Sequence, residues 1–234
     1  NSIVEWKWQL IPINDRIAPK DEKLEEYINS FKDEVERKYS VLICKLGREL
    51  THPRREEETS LGNFIADAFA ERAETEVMLV GSGSIRVKKL GPAVTLKDFL
   101  ACFPYDDTLT RFKVKGRQLR RIFAHIMRPE NRNSEGECYQ VNGRVRAVYS
   151  DKKRRLVSLK IDGKEVEDDK LYTLCMQNYH YNNCQEYLGI SEKELLASGE
   201  TKVVTTSAQQ VLEEYLRNHP NAFAEVEGRL VYED

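Results

Sequence analysis

The residues of this chain that could do chemistry are two arginines, two tyrosines and a glycine run. The run is Gly81-Ser82-Gly83-Ser84-Ile85-Arg86. Glycines such as Gly81 and Gly83 let a backbone approach a ligand closely, and the arginine beside them can hold an anion. Arg55, in the polar loop THPRREEETS, offers a second guanidinium for a phosphate or a ribose edge. Tyr105 follows Pro104 on a rigid turn, and Tyr187 follows a polar, aromatic stretch. Two such rings can sandwich a flat heterocycle, and stacking contributes about 1–3 kcal/mol per base. Taken singly, each tyrosine reads equally well as a half-buried surface aromatic. The run is neither GxxxxGK nor GxSxG. No base accompanies Ser82 or Ser84, so both serve as small residues beside a closely approached backbone rather than as nucleophiles.

Hydrolytic chemistry also needs a metal or an activated nucleophile, and the sequence offers neither. His52, His125, His180 and His219 stand in no HxH, HExxH or DxH spacing, so no metal centre is expected in this chain. His125 on a helix is read as structural, and His219, before Pro220, as a residue facing a helix end. Cys44, Cys102, Cys138, Cys175 and Cys184 are odd in number, scattered and without CxxC, several inside apolar runs. Buried free thiols in a reducing compartment are expected of such a set, and no neighbouring His argues for a catalytic thiolate. The 234 residues carry a net charge of −2 with 32% charged side chains, which gives no global pull toward nucleic acid or membrane. The basic run KVKGRQLRR could face nucleic acid but reads better as a solvated helix face. No apolar run approaches the roughly 20 residues that span a bilayer. The opening NSIVEWKWQL has no basic or apolar leader regions and no starting Met, as expected of a fragment or a processed product.

These residues need elements to position them. Alternation predicts a strand over 3–12, and a narrow apolar stripe (Leu24, Ile28, Phe31, Val35) predicts a charged helix over 20–39. Strands are predicted over 41–50, 76–80, 108–114, 139–149, 156–161, 170–177, 203–206 and 229–232. Helices are predicted from a Thr59 or Ser60 cap through Phe69, from Thr95 over 96–103, over 118–127, and from Ser207 to Asn218. Residues 129–137 read as a flexible loop, 178–187 as irregular, and Asp162-Gly163 as a hairpin turn. Interleaved helices and hairpins of this kind argue for an α+β or mixed α/β layered fold.

Several stretches, in order, resemble one family. Residues 58–69, ETSLGNFIADAF, are similar to the E-x-N-L-G-N-L-I-A-D-A segment that opens the C-terminal domain of the 5′-nucleotidase family. Residues 81–86 resemble its N-G-G-G-I-R, and 91–99, GPAVTLKDF, its G-x-I-T-x-x-D-L. Phe103-Pro104-Tyr105 resembles its P-F, VKGRQL its l-x-G-x-x-L, QVNG its Q-V-S-G, and Tyr172 to Asn178 its Y-x-V-x-x-N. The likeness runs from 41 to about 232.

The resemblance implies a layered α/β/β/α domain with mixed sheets. It implies a nucleotide-recognition domain over 41–234, an interdomain helix over 19–40, and the end of a metallophosphoesterase domain over 1–18. By position, Arg55 and Arg86 fall on arginines that meet the nucleotide, and Tyr105 and Tyr187 on the two stacking aromatics. The family would hold a divalent metal pair (zinc, manganese or magnesium) in its N-terminal domain, with none in this chain. Expected partners are a nucleotide or nucleoside phosphate ester and that N-terminal domain, with no nucleic acid and no membrane. The chain by itself is expected to be inactive and, in agreement with its unpaired cysteines, bacterial and cytoplasmic rather than secreted. A non-catalytic nucleotide-sensing or interaction module on the same fold is the alternative. Two departures stand out: Gly81 replaces the family's Asn, and Asn183-Cys184-Gln185-Glu186 replaces its G-G-D-G.

Overall fold

Asp21 starts the first helix by accepting the Leu24 N–H at 3.1 Å on its carboxylate. This helix, α1 (Glu22–Tyr39), carries Glu22 and Glu25 in its first turn and Arg37 and Lys38 in its last, matching the helix dipole. The computed structural model describes residues 2, 4–199 and 201–234, apart from the side chains of Ser134 and Glu135. It divides into the units Asn1–Ser40 and Val41–Asp234. In the first unit the stripe Leu24, Ile28, Phe31 and Val35 is exposed. The strand predicted over 3–12 is absent among described residues 4–12, and Ile3 lies outside the described residues. An alternating segment becomes a strand only when a neighbour takes its N–H and C=O groups, and no neighbour does so here.

The second unit begins with β1 (Leu42–Lys45), β2 (Leu50–Thr51), α2 (Ser60–Ala73) and β3 (Val77–Gly81). It continues with β4 (Lys89–Leu90), β5 (Ala93–Thr95), α3 (Leu96–Cys102), β6 (Leu109–Lys115) and α4 (Gly116–Ile126). Next come β7 (Tyr139–Val141), β8 (Val145–Ser150), β9 (Arg155–Ile161), β10 (Lys164–Glu165) and β11 (Leu171–Gln177). The chain closes with α5 (Asn178–Asn182), α6 (Cys184–Tyr187), α7 (Glu192–Leu196), β12 (Lys202–Thr205), α8 (Ala208–Asn218) and β13 (Leu230–Glu233). The cap of α2 is Thr59, whose hydroxyl accepts the Gly62 N–H at 3.0 Å, a contact worth about 1 kcal/mol. Two predicted strands are split: 41–50 into β1 and β2, and 139–149 at Asn142-Gly143 into β7 and β8. There the Asn142 amide oxygen takes the Met78 N–H at 2.9 Å and Asp67 takes the Gly143 N–H at 2.7 Å. Residues 178–187, read as irregular, form the short helices α5 and α6, and 131–135 form one wide helical turn.

The central five-stranded sheet has the order β12-β6-β11-β3-β7 and is mixed, β11 and β3 being its parallel pair. A four-stranded sheet, β10-β9-β8-β13, is also mixed. Met78, Val80 and Cys175 face a core shared with α2, α3 and α8. Val77, Leu79, Phe112 and Leu174 face the opposite core, shared with α4 and with Val145, Leu159 and Ile161 of the second sheet. The expected mixed α/β layering with mixed sheets is present: helices pack on both faces of the central sheet, α4 packs on both β6 and β9, and two two-stranded pairs, β1 with β5 and β2 with β4, complete the strands. All five cysteines are buried and unpaired.

The 58–69 segment holds the chain's closing strand in place. Glu58 accepts the N–H groups of Glu227 at 2.7 Å and Arg229 at 2.6 Å. Asn63 donates to the Glu225 carbonyl at 2.8 Å, and Asp67 pairs with the buried Arg229 guanidinium at 2.7 Å. The arginines of the basic run on α4 are paired: Arg117 with Asp169, Arg120 with Asp168, and Arg121 with Glu194.

Candidate functional site

The register of the central sheet brings four loops to one of its ends. β3 and β11 are parallel, with Leu79 opposite Met176, so both run out at the same end. β6 and β7 are antiparallel to them, with Leu109 opposite Gln177 and Tyr139 opposite Gly81, so both begin there. Side chains just past the carboxyl ends of neighbouring parallel strands are where α/β sheets hold ligands. The loops leaving β3 and β11 and those entering β6 and β7 enclose a cleft of about 590 Å³.

Arg55, Gly83, Arg86 and Tyr105 line this cleft, which brings together four of the six residues singled out in the sequence. Tyr105 is 50% exposed. Arg86 donates its backbone N–H to Cys102 at 2.8 Å and an Nη1 hydrogen to the Gly83 carbonyl at 3.2 Å. Among the described residues no carboxylate lies within ion-pair reach of Arg86, so its guanidinium is open to an anion. Arg55 donates to the Gly136 carbonyl at 3.0 Å and lies 3.9 Å from Glu137 Oε1.

Tyr187 adjoins the cleft without lining it, its ring 5.8 Å from that of Tyr179. It is partly buried against the second core, and its hydroxyl lies 3.1 Å from that of Tyr179. That hydroxyl bond, with burial, pushes its pKa up to about 12. Tyr179 is the ring that lines the cleft with Tyr105, and it is 53% exposed. The sequence held a signal for it: Tyr179 directly follows the β11 exit at Gln177-Asn178, as Tyr105 directly follows Pro104. Asp106 and Asp107 also line the cleft, but their oxygens are committed to backbone N–H groups and to Ser207. Asp106 takes the Ser207 hydroxyl at 3.0 Å and the Gln209 N–H at 3.3 Å, anchoring the Tyr105 loop to the start of α8.

Gly81 lies beneath the cleft. A Cβ there would run into Nε2 and Cε1 of His180. The imidazole is 1% exposed and bonded through Nδ1 to the Tyr139 hydroxyl at 3.1 Å. Burial drives its pKa down to about 4, so the ring is neutral near pH 7. The departure at position 81 thus has a steric account: His180 fills the space that a side chain at 81 would occupy. Gly81 shapes the floor, whereas Gly83 meets the cleft itself.

The serines of the run are structural. Ser82 Oγ accepts from Gln140 at 2.9 Å, and Ser84 Oγ accepts from Gln177 at 3.2 Å, which ties the run to the end of β11. His125 bonds the Glu186 carbonyl at 2.9 Å, and His219 stacks on Tyr215 at the end of α8. Among the described residues no three His, Cys, Asp or Glu side chains converge as a metal site. No helix among them is long and apolar enough to cross a membrane. The arrangement can stack a planar group, neutralise an anion and accept hydrogen bonds.

Residues 39–190 match the family described as 5′-nucleotidase, C-terminal domain. Among curated proteins, the endonuclease YhcR of Bacillus subtilis (strain 168) is 32% identical over 124 residues, covering 52% of this chain and 10% of that protein. A 5′-nucleotidase of Vibrio parahaemolyticus is 23% identical over 219 residues, covering 92% of this chain and 37% of that protein. Among solved structures, the 5′-nucleotidase precursor of Thermus thermophilus superposes with a TM-score of 0.72 at 20% identity, covering 94% of this chain and 45% of that one. The chain thus spans less than half the length of each of these proteins. The ordered motifs, the mixed layered sheets and the family match over 39–190 together show that this chain belongs to the 5′-nucleotidase C-terminal domain family.

Proposed function

We propose that this chain is the substrate-recognition part of a 5′-nucleotidase-like phosphoric ester hydrolase. Tyr105 and Tyr179 stack the nucleobase, Arg86 meets the phosphate, and Arg55 borders the same cleft beside Glu137. The observation that carries this reading is the convergence of two exposed tyrosines and an unpaired arginine on one cleft at the sheet's end. The described residues offer no ligand set for a metal pair. Hydrolysis would belong to the separate metallophosphoesterase domain that the family resemblance implies, with this chain delivering the ester to it.

Thermal shift with millimolar AMP and UMP tests the reading, since bound ligand raises stability by RT ln(1 + [L]/Kd). The expected result is a shift in the parent chain that is lost in Arg86→Ala and Tyr105→Ala, with no phosphate released by the chain alone. Binding that is unchanged in both variants overturns the site. No shift across a panel of nucleotides favours a non-catalytic interaction module on the same fold.

A further inference from the structure

Glu137 is the cleft's remaining charged group with capacity to spare. Its side chain is only 15% exposed, yet it lines the cleft. Oε1 accepts the Gly83 N–H at 3.2 Å and lies 3.9 Å from Arg55 Nη2. Among the described residues nothing donates to Oε2. The carboxylate is therefore held in place by one oxygen and presents the other as a bare acceptor, whereas the carboxylates of Asp106 and Asp107 are committed to backbone and to Ser207.

Its position relative to Arg86 decides what it can accept. Gly83 is bonded on both sides: its N–H goes to Glu137 and its carbonyl takes Arg86 Nη1 at 3.2 Å. One residue thus separates the anion contact from the acceptor. A phosphate at the acceptor would be repelled by the carboxylate. A hydroxyl a few bonds from a phosphate held on Arg86 would be received there. In a nucleotide that hydroxyl belongs to the ribose, which lies between the phosphate and the base, and the base is left for the tyrosines. Carboxylates take ribose hydroxyls in this way at other nucleotide sites.

We propose that Glu137 accepts the ribose cis-diol and makes the cleft selective for ribonucleotides, an inference that rests on the nucleotide-binding reading above. Calorimetric titration of the full chain with AMP and with 2′,3′-dideoxy-AMP tests it. The parent chain should prefer AMP by about tenfold, the effect of hydrogen bonds to a charged acceptor. Glu137→Gln, which keeps an oxygen for the Gly83 N–H, and Glu137→Ala should both lose that preference, chiefly by weakening AMP. Equal binding of the two ligands by the parent chain overturns this inference and leaves nucleotide binding standing. So does a preference that survives in both variants, or tighter binding of both ligands by Glu137→Ala. Failure of the parent chain to bind either ligand overturns both readings.

Discussion

Asp107 holds Tyr179 in the cleft: its Oδ2 accepts the backbone N–H of Tyr179 at 2.8 Å while Oδ1 takes the N–H of Thr108 at 2.8 Å. Asp107 lies two residues after Tyr105, so one carboxylate fixes the loops that carry both cleft tyrosines. Stacking needs both faces at a set spacing, and rings on untied loops would lose that spacing to loop entropy. Asp107→Ala should therefore weaken AMP binding by about fivefold or more and lower stability by about 1–2 kcal/mol for the orphaned N–H groups. Titration and urea unfolding read the two effects separately.

The two tyrosines after β11 should separate cleanly. Tyr179→Ala removes a cleft ring and should cost about 1–3 kcal/mol of nucleotide binding. Tyr187→Phe removes only a hydroxyl bonded to Tyr179 and should leave affinity within about twofold while the ring stays packed. A loss in Tyr187→Ala as large as that in Tyr179→Ala would place the second stacking face at Tyr187 instead.

Gly81 has φ −61° and ψ 122°, a conformation open to any residue, so its requirement is steric. Gly81→Ala should destabilise the fold by about 1–3 kcal/mol because the new methyl meets a packed imidazole. His180→Ala makes room for that methyl, so the double variant should lose less than the sum of the single losses. Denaturation of the four proteins gives the coupling directly, and simple additivity would argue against the contact.

The same imidazole predicts a pH dependence. His180 protonates at about 4 in the folded chain against an ordinary 6.5. Between those values the unfolded chain binds the extra proton, so stability falls as pH drops from about 6.5 toward 4 and is level above that window. The full window is worth about 3 kcal/mol for this residue. Burial lowers His52 and His125 as well, so they contribute with the same sign. The urea midpoint should drop between pH 7 and pH 5, and drop less in His180→Gln. An identical change in both proteins would show that His180 is not the titrating group.

Local pattern made much of this molecule legible. Caps at Thr59, Thr95 and Ser207, the stripe through α2, the Asp162-Gly163 turn and the glycine run are short-range signals, and the folded chain has each where the residues imply it. The strand predicted over 3–12 failed for a reason outside its own residues, since alternation cannot supply a partner. The family resemblance points to Tyr187 by its position in the motif order, although the Asn183 to Glu186 loop before it departs from the family's G-G-D-G. Which of two nearby tyrosines faces a cleft depends on how α5 and α6 turn after β11, and no local spacing encodes that.

The sequence by itself determined the family, the longer helices and most of the longer strands of 41–234, and the turns that carry Arg86 and Tyr105, because periodicity, capping and turn chemistry act over a few residues. Only the tertiary structure decided which loops share a cleft. The parallel pairing of β3 with β11 and the antiparallel pairing of β6 and β7 join positions as far apart as Gly83, Tyr105, Glu137 and Tyr179. Hydrogen bonds across strands set that register, and with it the placement of His180 over Gly81, the pairing of Asp107 with Tyr179, and the exposure of Glu137 to the cleft.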